Sequence, residues 1–274
     1  MSLDPRRLER HLRESLRRHT TTARADPFTC FLHPATADPA LNVAIPDEPL
    51  EGRRLHIQTQ EPDEAAAAPP QKDEAVGAAL VKAHFVAHGR RPRIEFLDEC
   101  HPGLAEVLQA NGFREEGRTS LLGCTRASWR QVDPPPGVRI EPLLPDVPWK
   151  VARQYLQVQR EAYKLEMPVP EEGPPGFWPA LALGAGLLVL VDGEPAAAGG
   201  ITPHTDGLSD VRGLAVRDAY RRRGLGAFLL SALGRVAHET GVEALLVIPE
   251  GPGAQSIAER AGFAPVATLR SFAG

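Results

Sequence analysis

Residues 211–226 read VRGLAVRDAYRRRGLG, which is a short apolar strand followed by a turn rich in arginine and glycine. From Leu225 onward, apolar residues recur with helical spacing as far as residue 240. Backbone N–H groups at a helix N-terminus favour an anion, and so does the positive end of the helix dipole. The two glycines allow close backbone approach, and the three arginines add charge-assisted contacts. The stretch therefore predicts a strand, a turn and a helix that bind a phosphate-bearing ligand.

The elements on either side of this stretch predict an α/β fold with a mixed sheet. A hairpin is predicted around Asp192-Gly193, a dipeptide typical of tight turns between strands. The second half is expected to contain strands at 138–143, 187–191, 196–201, 211–216, 244–248 and 265–269 and helices at 147–165, 225–240 and 255–260. The first half is expected to contain strands at 28–32, 41–45, 55–60, 93–98 and 118–125 and helices near 3–18, 73–88 and 102–110.

The two halves of the chain repeat each other at an offset of about 150 residues. Pro102-Gly103 corresponds to Pro252-Gly253, and Gly112-Phe113 corresponds to Gly262-Phe263. A stiff proline-rich stretch at 133–137 is typical of a linker. The sequence therefore predicts a tandem duplication, with one domain at residues 1–133 and a second at 134–274.

The chain leaves room for only one strand after Gly262-Phe263, because the sequence ends at residue 274. A sheet edge left unpaired invites aggregation. We therefore expect strand 118–125 of the first half to pair with the second half, in a continuous or swapped sheet.

The pattern R-x-x-G-x-G directly after Leu214-Ala215-Val216 resembles the pyrophosphate motif of the GNAT acetyltransferases, and a helix ending in Gly262-Phe263 is the family's next landmark. The resemblance covers about residues 137–269 and implies two GNAT-like (acyl-CoA N-acyltransferase) domains in tandem. It also implies acetyl-CoA (coenzyme A) as the cofactor. By this resemblance, pantetheine contacts Leu214 and Val216, and the pyrophosphate is held by Arg221, Arg222, Arg223, Gly224, Leu225, Gly226 and Ala227.

The first half does not repeat the phosphate-binding turn. Its equivalent segment, residues 71–76, has no glycine and carries carboxylates where phosphates would lie. We therefore expect a degenerate N-terminal copy that binds no cofactor, and one coenzyme A per chain.

The catalytic groups are less clearly marked than the cofactor site. Strand alternation predicts that Asp210 shares a face with Leu214 and Val216, and the resemblance implies a base at this place. An exposed aspartate at a strand end is the alternative. The family's usual tyrosine acid is replaced by Ala258, which leaves Ser256 or solvent as the proton donor, although Ser256 also fits an ordinary exposed helix hydroxyl.

The acceptor is predicted only as a class. Tyr163 and the nearby glutamates lie on the segment that forms the acceptor pocket in similar proteins, and these carboxylates suit a cationic amine as well as a solvated surface. The members are Glu161, Glu166, Glu171 and Glu172. We therefore predict direct acetyl transfer, in a ternary complex, to an amine of a small molecule or peptide. The alternative is a non-catalytic acyl-CoA-binding or regulatory module.

Composition excludes several other classes of protein. A net charge of −4 gives no reason to bind nucleic acid or an anionic membrane. The longest apolar run, 181–191, is shorter than the roughly 20 residues of a membrane helix. Three scattered cysteines indicate neither disulfides nor zinc, and His84 and His88 have no third ligand beside them. We expect a cytoplasmic protein without a metal.

Overall fold

The computed structural model describes residues 3–38, 41–47, 74–144, 146–166, 168–169, 171–172 and 184–274. The predicted strand at 55–60 lies outside these residues. Contacts divide the chain into two compact units, of which the first comprises 1–120 with 267–274 and the second 121–266. The predicted domains, divided between 133 and 134, are units of sequence repetition, and that division remains a prediction.

Most predicted helices and strands are present, with ends shifted by a few residues. The helices are α1 (Pro5–Arg17), α2 (Glu74–Ala87), α3 (Leu104–Ala110), α4 (Trp149–Tyr163), α5 (Leu225–Glu239) and α6 (Pro252–Arg260). The strands are β1 (Thr21–Ala25), β2 (Phe28–Leu32), β3 (Asn42–Pro46), β4 (Arg93–Leu97), β5 (Arg114–Thr125), β6 (Val138–Leu143), β7 (Ala185–Val191), β8 (Glu194–Ile201), β9 (Leu208–Val216), β10 (Ala244–Val247) and β11 (Ala264–Ala273). Strand β1 is not among the predicted elements.

The first unit is a sheet in the order β1-β2-β3-β4-β11 with helices on both faces. Its strand pairs are antiparallel except β3 and β4, which are parallel. The leucine stripe of α1 packs on Phe31 and Ile45, whereas α2 and α3 pack on the face that carries Phe28 and Phe96. Asp4 caps α1 by accepting a hydrogen bond from the Arg6 N–H at 3.0 Å.

The second unit is a sheet in the order β5-β10-β9-β8-β7-β6. Strands β9 and β10 are parallel and the other neighbours are antiparallel, so the prediction of a mixed sheet is confirmed. Helix α4 packs on one face through Tyr155 and Val158. Helix α5 packs on the other face through Leu229 and Leu233. Strand β9 therefore lies between two helices, in the middle of the sheet.

The repeat predicted from the sequence extends to individual hydrogen bonds. Gly112 and Gly262 both have left-handed backbones, with φ of 75° and 96°. Phe113 N–H donates to the Leu108 carbonyl at 3.0 Å, and Phe263 N–H donates to the Ala258 carbonyl at 3.1 Å. Both phenylalanines are buried. Helices α3 and α6 thus end with the same glycine turn.

Each sheet contains a strand from the other half of the chain. In the second unit, β5 pairs antiparallel with β10 from Leu122 opposite Val247 to Thr125 opposite Ala244. In the first unit, β11 pairs antiparallel with β4 from Leu269 opposite Leu97 to Ala273 opposite Arg93. The prediction that strand 118–125 pairs with the second half is therefore confirmed.

Candidate functional site

A gap opens where β9 and β10 part. The two strands are in register over three residue pairs, from Leu208 opposite Ala244 to Asp210 opposite Leu246. Strand β9 then continues to Val216, while the next residue of β10, Val247, pairs with Leu122 on β5. The later residues of β9 therefore border a gap on the β10 side.

Strand β9 carries a bulge at the start of this gap. Ala198 faces Ala215 and Gly200 faces Arg212, so that Gly199 alone opposes both Gly213 and Leu214. Gly213 has a left-handed backbone with φ of 60°. Its carbonyl accepts a hydrogen bond from Gln159 Nε2 on α4 at 2.9 Å.

The bulge reverses the alternation of side chains along β9. Val211 before the bulge packs on the α5 side of the sheet, and so do Leu214 and Val216 after it. Arg212 pairs with Gly200, where a Cβ would lie 3.1 Å from the Tyr155 hydroxyl of α4. The prediction that Asp210 shares a face with Leu214 and Val216 is therefore wrong, because one extra residue moves the later side chains to the other face.

Asp210 lies at the point where the two strands separate. It is 6% exposed, and its carboxylate Oδ2 is 3.5 Å from Arg212 Nη2. Its backbone N–H donates to Thr202 Oγ1 at 2.9 Å, and its carbonyl accepts from Thr202 N–H at 2.9 Å. The carboxylate is thus a buried, paired group at the base of the gap on the α4 side.

The glycine turn leads from β9 into α5. A short 3₁₀ turn covers Asp218–Tyr220, Arg222 has φ of 62°, and Gly224 has φ of 83° at the position before the helix. The first α-helical hydrogen bond runs from Phe228 N–H to the Gly224 carbonyl at 3.1 Å. The N–H groups of residues 225–227 therefore have no acceptor within the helix, as the binding of an anion requires.

The three arginines of the turn differ in their contacts. Arg221 binds the Val216 carbonyl through Nε at 3.2 Å and the Asp218 carboxylate through Nη2 at 3.0 Å. Arg222 and Arg223 are exposed, and the Arg223 guanidinium lies 5.4 Å from the Tyr220 ring centre. Arg221 thus fastens the turn to the end of β9, while the other two present positive charge at the surface.

The two glycines of the turn also have different roles. A Cβ on Gly224 would be 3.7 Å from Pro135, an ordinary contact, so its left-handed backbone is what favours glycine there. A Cβ on Gly226 would be 3.3 Å from Ile257 Cδ1. Gly226 therefore lets α6 pack closely on the first turn of α5.

Helix α6 presents neither a tyrosine nor a buried hydroxyl. Ala258, which stands where the family has its tyrosine, is 1% exposed and belongs to the core beneath α5. Ser256 is exposed, and two residues along a helix correspond to about 200° of rotation. Ser256 therefore lies on the side of α6 away from that core.

Sequence analysis missed the contacts that helix α4 makes with strand β9. The Tyr163 hydroxyl donates to the Leu214 carbonyl at 3.1 Å, on the bulged part of β9. Burial and the Glu250 carboxylate raise the pKa of Tyr163. Tyr155, Gln159 and Tyr163 recur at intervals of four residues, a spacing that places them on one helix face. A search for polar side chains at this spacing would have found them in the sequence.

The glutamates predicted to attract a cationic acceptor are not equivalent. The Glu161 carboxylate is 2.6 Å from Arg217 Nε, so its charge is balanced within the chain. Glu166, Glu171 and Glu172 are exposed, and two residues between them, 167 and 170, lie outside the described ranges.

Within the described ranges, no helix has the length and apolar character needed to span a bilayer. Over the same residues, no three His, Cys, Asp or Glu side chains are grouped as a metal site would require.

Residues 153–263 match the model of the Acetyltransferase (GNAT) family. A solved GCN5-related N-acetyltransferase from Kribbella flavida has a TM-score of 0.75 and 23% identity over 98% of this chain and 95% of that chain. A tandem GNAT protein from the clavulanic acid biosynthesis pathway has a TM-score of 0.56 and 13% identity over 90% and 78% of the two chains. A GCN5-related N-acetyltransferase from Sphaerobacter thermophilus has a TM-score of 0.54 and 16% identity over 72% and 65%. No curated protein gives a significant match. These likenesses establish the fold of the chain.

Proposed function

Since residues 153–263 belong to the GNAT acetyltransferase family, we propose that the second unit binds acetyl-CoA and transfers the acetyl group to an amine. The observation that carries this proposal is the parting of β9 from β10, directly before a glycine turn at the N-terminus of α5. A gap beside an unpaired strand edge suits an extended chain that carries amides. A helix N-terminus with exposed arginines suits a pyrophosphate.

In this proposal each half of the cofactor has its own residues. Pantetheine would lie along the backbone of Leu214 and Val216. The pyrophosphate would bind the N–H groups of Leu225, Gly226 and Ala227, next to Gly224 and under the charges of Arg222 and Arg223. Arg221 would act mainly by holding the turn, because its guanidinium already binds a carbonyl and a carboxylate.

The reaction needs three groups besides the cofactor. The amine nitrogen attacks the acetyl carbonyl carbon, the carbon–sulfur bond breaks, and the thiolate takes a proton to become the coenzyme A thiol. A strand amide near Val216 would polarise the carbonyl. Asp210 would remove the amine proton through a water, since its carboxylate is buried at the base of the gap, and Ser256 or solvent would supply a proton to the thiolate.

The acceptor is proposed to be a small molecule or peptide with a cationic amine. Among the described residues, exposed Glu166 has no ion pair such as the one that Glu161 forms with Arg217, and it would attract such a group. Neither nucleic acid nor a membrane is proposed as a partner, and a cytoplasmic location remains a prediction.

The second candidate function is a non-catalytic acyl-CoA-binding module. It is favoured by one observation, the buried alanine at position 258 in place of a tyrosine. Mixing the protein with acetyl-CoA and a panel of amines distinguishes the two functions. Release of free thiol that depends on one amine supports the enzyme, whereas binding without release for any amine supports the module.

The cofactor site is tested by calorimetry with acetyl-CoA. We expect one molecule to bind per chain. We expect Gly224→Glu to weaken binding about tenfold or more, because the new carboxylate would lie beside the pyrophosphate and repel it. Gly193→Glu is the matched control, since Gly193 also has a left-handed backbone, with φ of 88°, and open space around it. Equal affinities of the two variants, or two molecules per chain, would contradict the assignment.

A further inference from the structure

The bulge of β9 decides which backbone groups face the gap. The Asp210 N–H and carbonyl both bind Thr202, so Asp210 faces β8. Arg217 N–H donates to the Ala196 carbonyl at 3.0 Å, so Arg217 also faces β8. Backbone groups of successive residues in a regular strand point to opposite edges. Residues 210 and 217 would then face opposite edges, and only the extra residue of the bulge brings both to the same one.

The consequence concerns the two residues that the proposed cofactor site uses. In a regular strand, residues 210, 214 and 216 would point their peptide groups to the same edge, because they are separated by even numbers of residues. Without the bulge, the peptide groups of residues 214 and 216 would therefore point to β8, as those of Asp210 do. With the bulge, they point away from β8, toward the gap. Two contacts agree with this orientation, because the Leu214 carbonyl is reached by Tyr163 and the Val216 carbonyl by Arg221.

One side chain is fitted to the bulge. Gln159 Nε2 binds the Gly213 carbonyl, and a Cβ on Gly213 would lie 2.1 Å from the same nitrogen. A hydrogen bond joins Gln159 to the Tyr155 hydroxyl, and Tyr155 is only 7% exposed. Burial raises the pKa of Tyr155 to about 12, so its hydroxyl keeps its proton at neutral pH. The Gln159 side-chain amide is therefore also held by the neutral, buried Tyr155 hydroxyl.

We propose that Gln159 is a positioning residue that locks the Gly213 bulge and thereby turns the peptide groups of Leu214 and Val216 toward the gap. This inference rests on the proposed function for its use in catalysis, although the bulge itself does not. A carbonyl in a left-handed bulge is outside the ladder between strands, and Gln159 supplies the donor that this carbonyl would otherwise take from water. Loss of that donor favours the regular register, in which the gap loses its acceptors and donors.

The test compares Gln159→Leu with Gln157→Leu in the full chain. Gln157 lies on the same helix and is exposed, and its side-chain amide donates to Glu161 of its own helix at 3.0 Å. Amide hydrogen exchange needs no ligand, and we expect it to quicken at residues 213–216 in Gln159→Leu alone. We also expect coenzyme A to bind this variant about three- to tenfold more weakly, which is the effect of one lost hydrogen bond. Binding of ADP, which has a pyrophosphate and no pantetheine, should be unchanged.

Each other outcome has a defined meaning. Exchange and coenzyme A binding that match Gln157→Leu would overturn the proposal. Equal weakening of coenzyme A and ADP would overturn it too, because the residue would then support the whole unit rather than the strand. If the unaltered protein binds neither ligand, the proposed function fails, while hydrogen exchange still decides the role of Gln159.

A second variant covers the case in which Gln159→Leu does not fold. Gln159→Glu keeps the shape of the side chain but can donate to the Gly213 carbonyl only when its carboxyl is protonated. Its coenzyme A affinity, relative to the unaltered protein, should be low at about pH 8 and should recover toward about pH 5. A ratio that does not change with pH would contradict the proposed hydrogen bond.

Discussion

Asp210 and Gly213 show how one residue changes what a strand presents. Both are visible in the sequence, and a glycine within a strand is often the sign of a bulge. The alternation rule, applied through position 213 as if the strand were regular, put Asp210 on the wrong face relative to Leu214 and Val216. The position of a bulge depends on which register buries the most and on partners such as Gln159, 54 residues away along the chain. Local sequence does not contain that information.

The predicted turn was more accessible to sequence reasoning, because its signals are local. Gly224 has a left-handed backbone directly before α5, and a glycine that precedes an apolar helical pattern is a signal that local sequence contains. The contacts of Arg221 with Val216 and of Gly226 with Ile257 come from the tertiary structure, and nothing in the motif separates these two residues from their neighbours.

The three cysteines yield a prediction at this same scale. All are buried and free, and burial is the main cause that raises the pKa of Cys30 and Cys100 to about 12 and that of Cys124 to about 11. Since thiolate is the reactive form, we expect a thiol reagent at about pH 8 to label no cysteine in the native protein and all three after unfolding in guanidinium. A native thiol that reacts within minutes would contradict this, and would add background to the thiol-release assay.

The same thiols give a pH dependence with a definite sign. Their folded pKa values lie above the ordinary value of 9.0, so the neutral thiols contribute their full stability below that pH. The contribution is lost as pH rises from about 9 to about 12, because the unfolded chain loses these protons first. The denaturant midpoint should therefore fall over this range.

Helices and strands were predicted well wherever the apolar pattern was strong. Strand β6 has the predicted bounds, and α5 differs by one residue. Strand β1, with the sequence TTARA, was missed because four of its five residues are not buried and it has little apolar pattern. It forms by pairing with β2, which is a tertiary cause. Helix ends were predicted correctly where a glycine turn marks them, as at Gly112 and Gly262.

These two equivalent glycines give a prediction at the scale of the element. Alanine at either position must adopt a left-handed backbone, at a cost of about 1 kcal/mol. At Gly112 the new Cβ would be 3.2 Å from the movable Lys82 amine, whereas at Gly262 it would be 2.0 Å from the backbone carbonyl of Ser128. We expect Gly262→Ala to lower the free energy of unfolding by about 3 kcal/mol or more, because the clash adds to the left-handed strain. The loss in Gly112→Ala should be clearly smaller.

Chemical denaturation of the two variants measures this difference. Gly112→Ala is the control for the left-handed strain alone. Equal losses of stability would show that the segment around Ser128 moves aside freely. The close packing of residues 128–130 on the end of α6 would then contribute nothing measurable to the free energy of unfolding.

At the scale of the whole molecule, the pairing of strand 118–125 with the second half was predictable from the sequence, whereas the pairing of β11 with β4 was not predicted. Strand 118–125 closes the first half and lies just before the proline-rich stretch, so the tandem arrangement allows it to pair with the second half. The division of the chain into compact units was not predictable in the same way. Repeats in sequence place a boundary in the proline-rich stretch, whereas contacts place residues 121–133 with the second half and 267–274 with the first.

Residues 121–133 do more for the second unit than pair with β10. Leu122 and Cys124 belong to its buried core, and Trp129 and Val132 pack against that core. The Trp129 indole N–H donates to the Ser231 carbonyl at 2.9 Å, and Val132 N–H donates to Ser231 Oγ at 3.0 Å. A fragment that begins at residue 134 therefore loses a strand and several core side chains at once.

The last prediction follows from this loss. Residues 134–274 expressed alone should be insoluble or should dimerise, because the edge of β10 is left with unpaired N–H and carbonyl groups. A fragment of residues 118–274 keeps the part of β5 that pairs with β10 and the contacts with Ser231, so it should be more soluble and should retain affinity for acetyl-CoA. Light scattering and calorimetry compare the two fragments. A monomeric fragment 134–274 that unfolds cooperatively and binds acetyl-CoA with full affinity would show that the exchanged strand is dispensable, since every group of the proposed site lies within residues 134–274. If both fragments are equally insoluble, the pairing of β5 with β10 does not limit solubility, because the fragments differ in this pairing and in the hydrogen bonds of Trp129 and Val132 to Ser231.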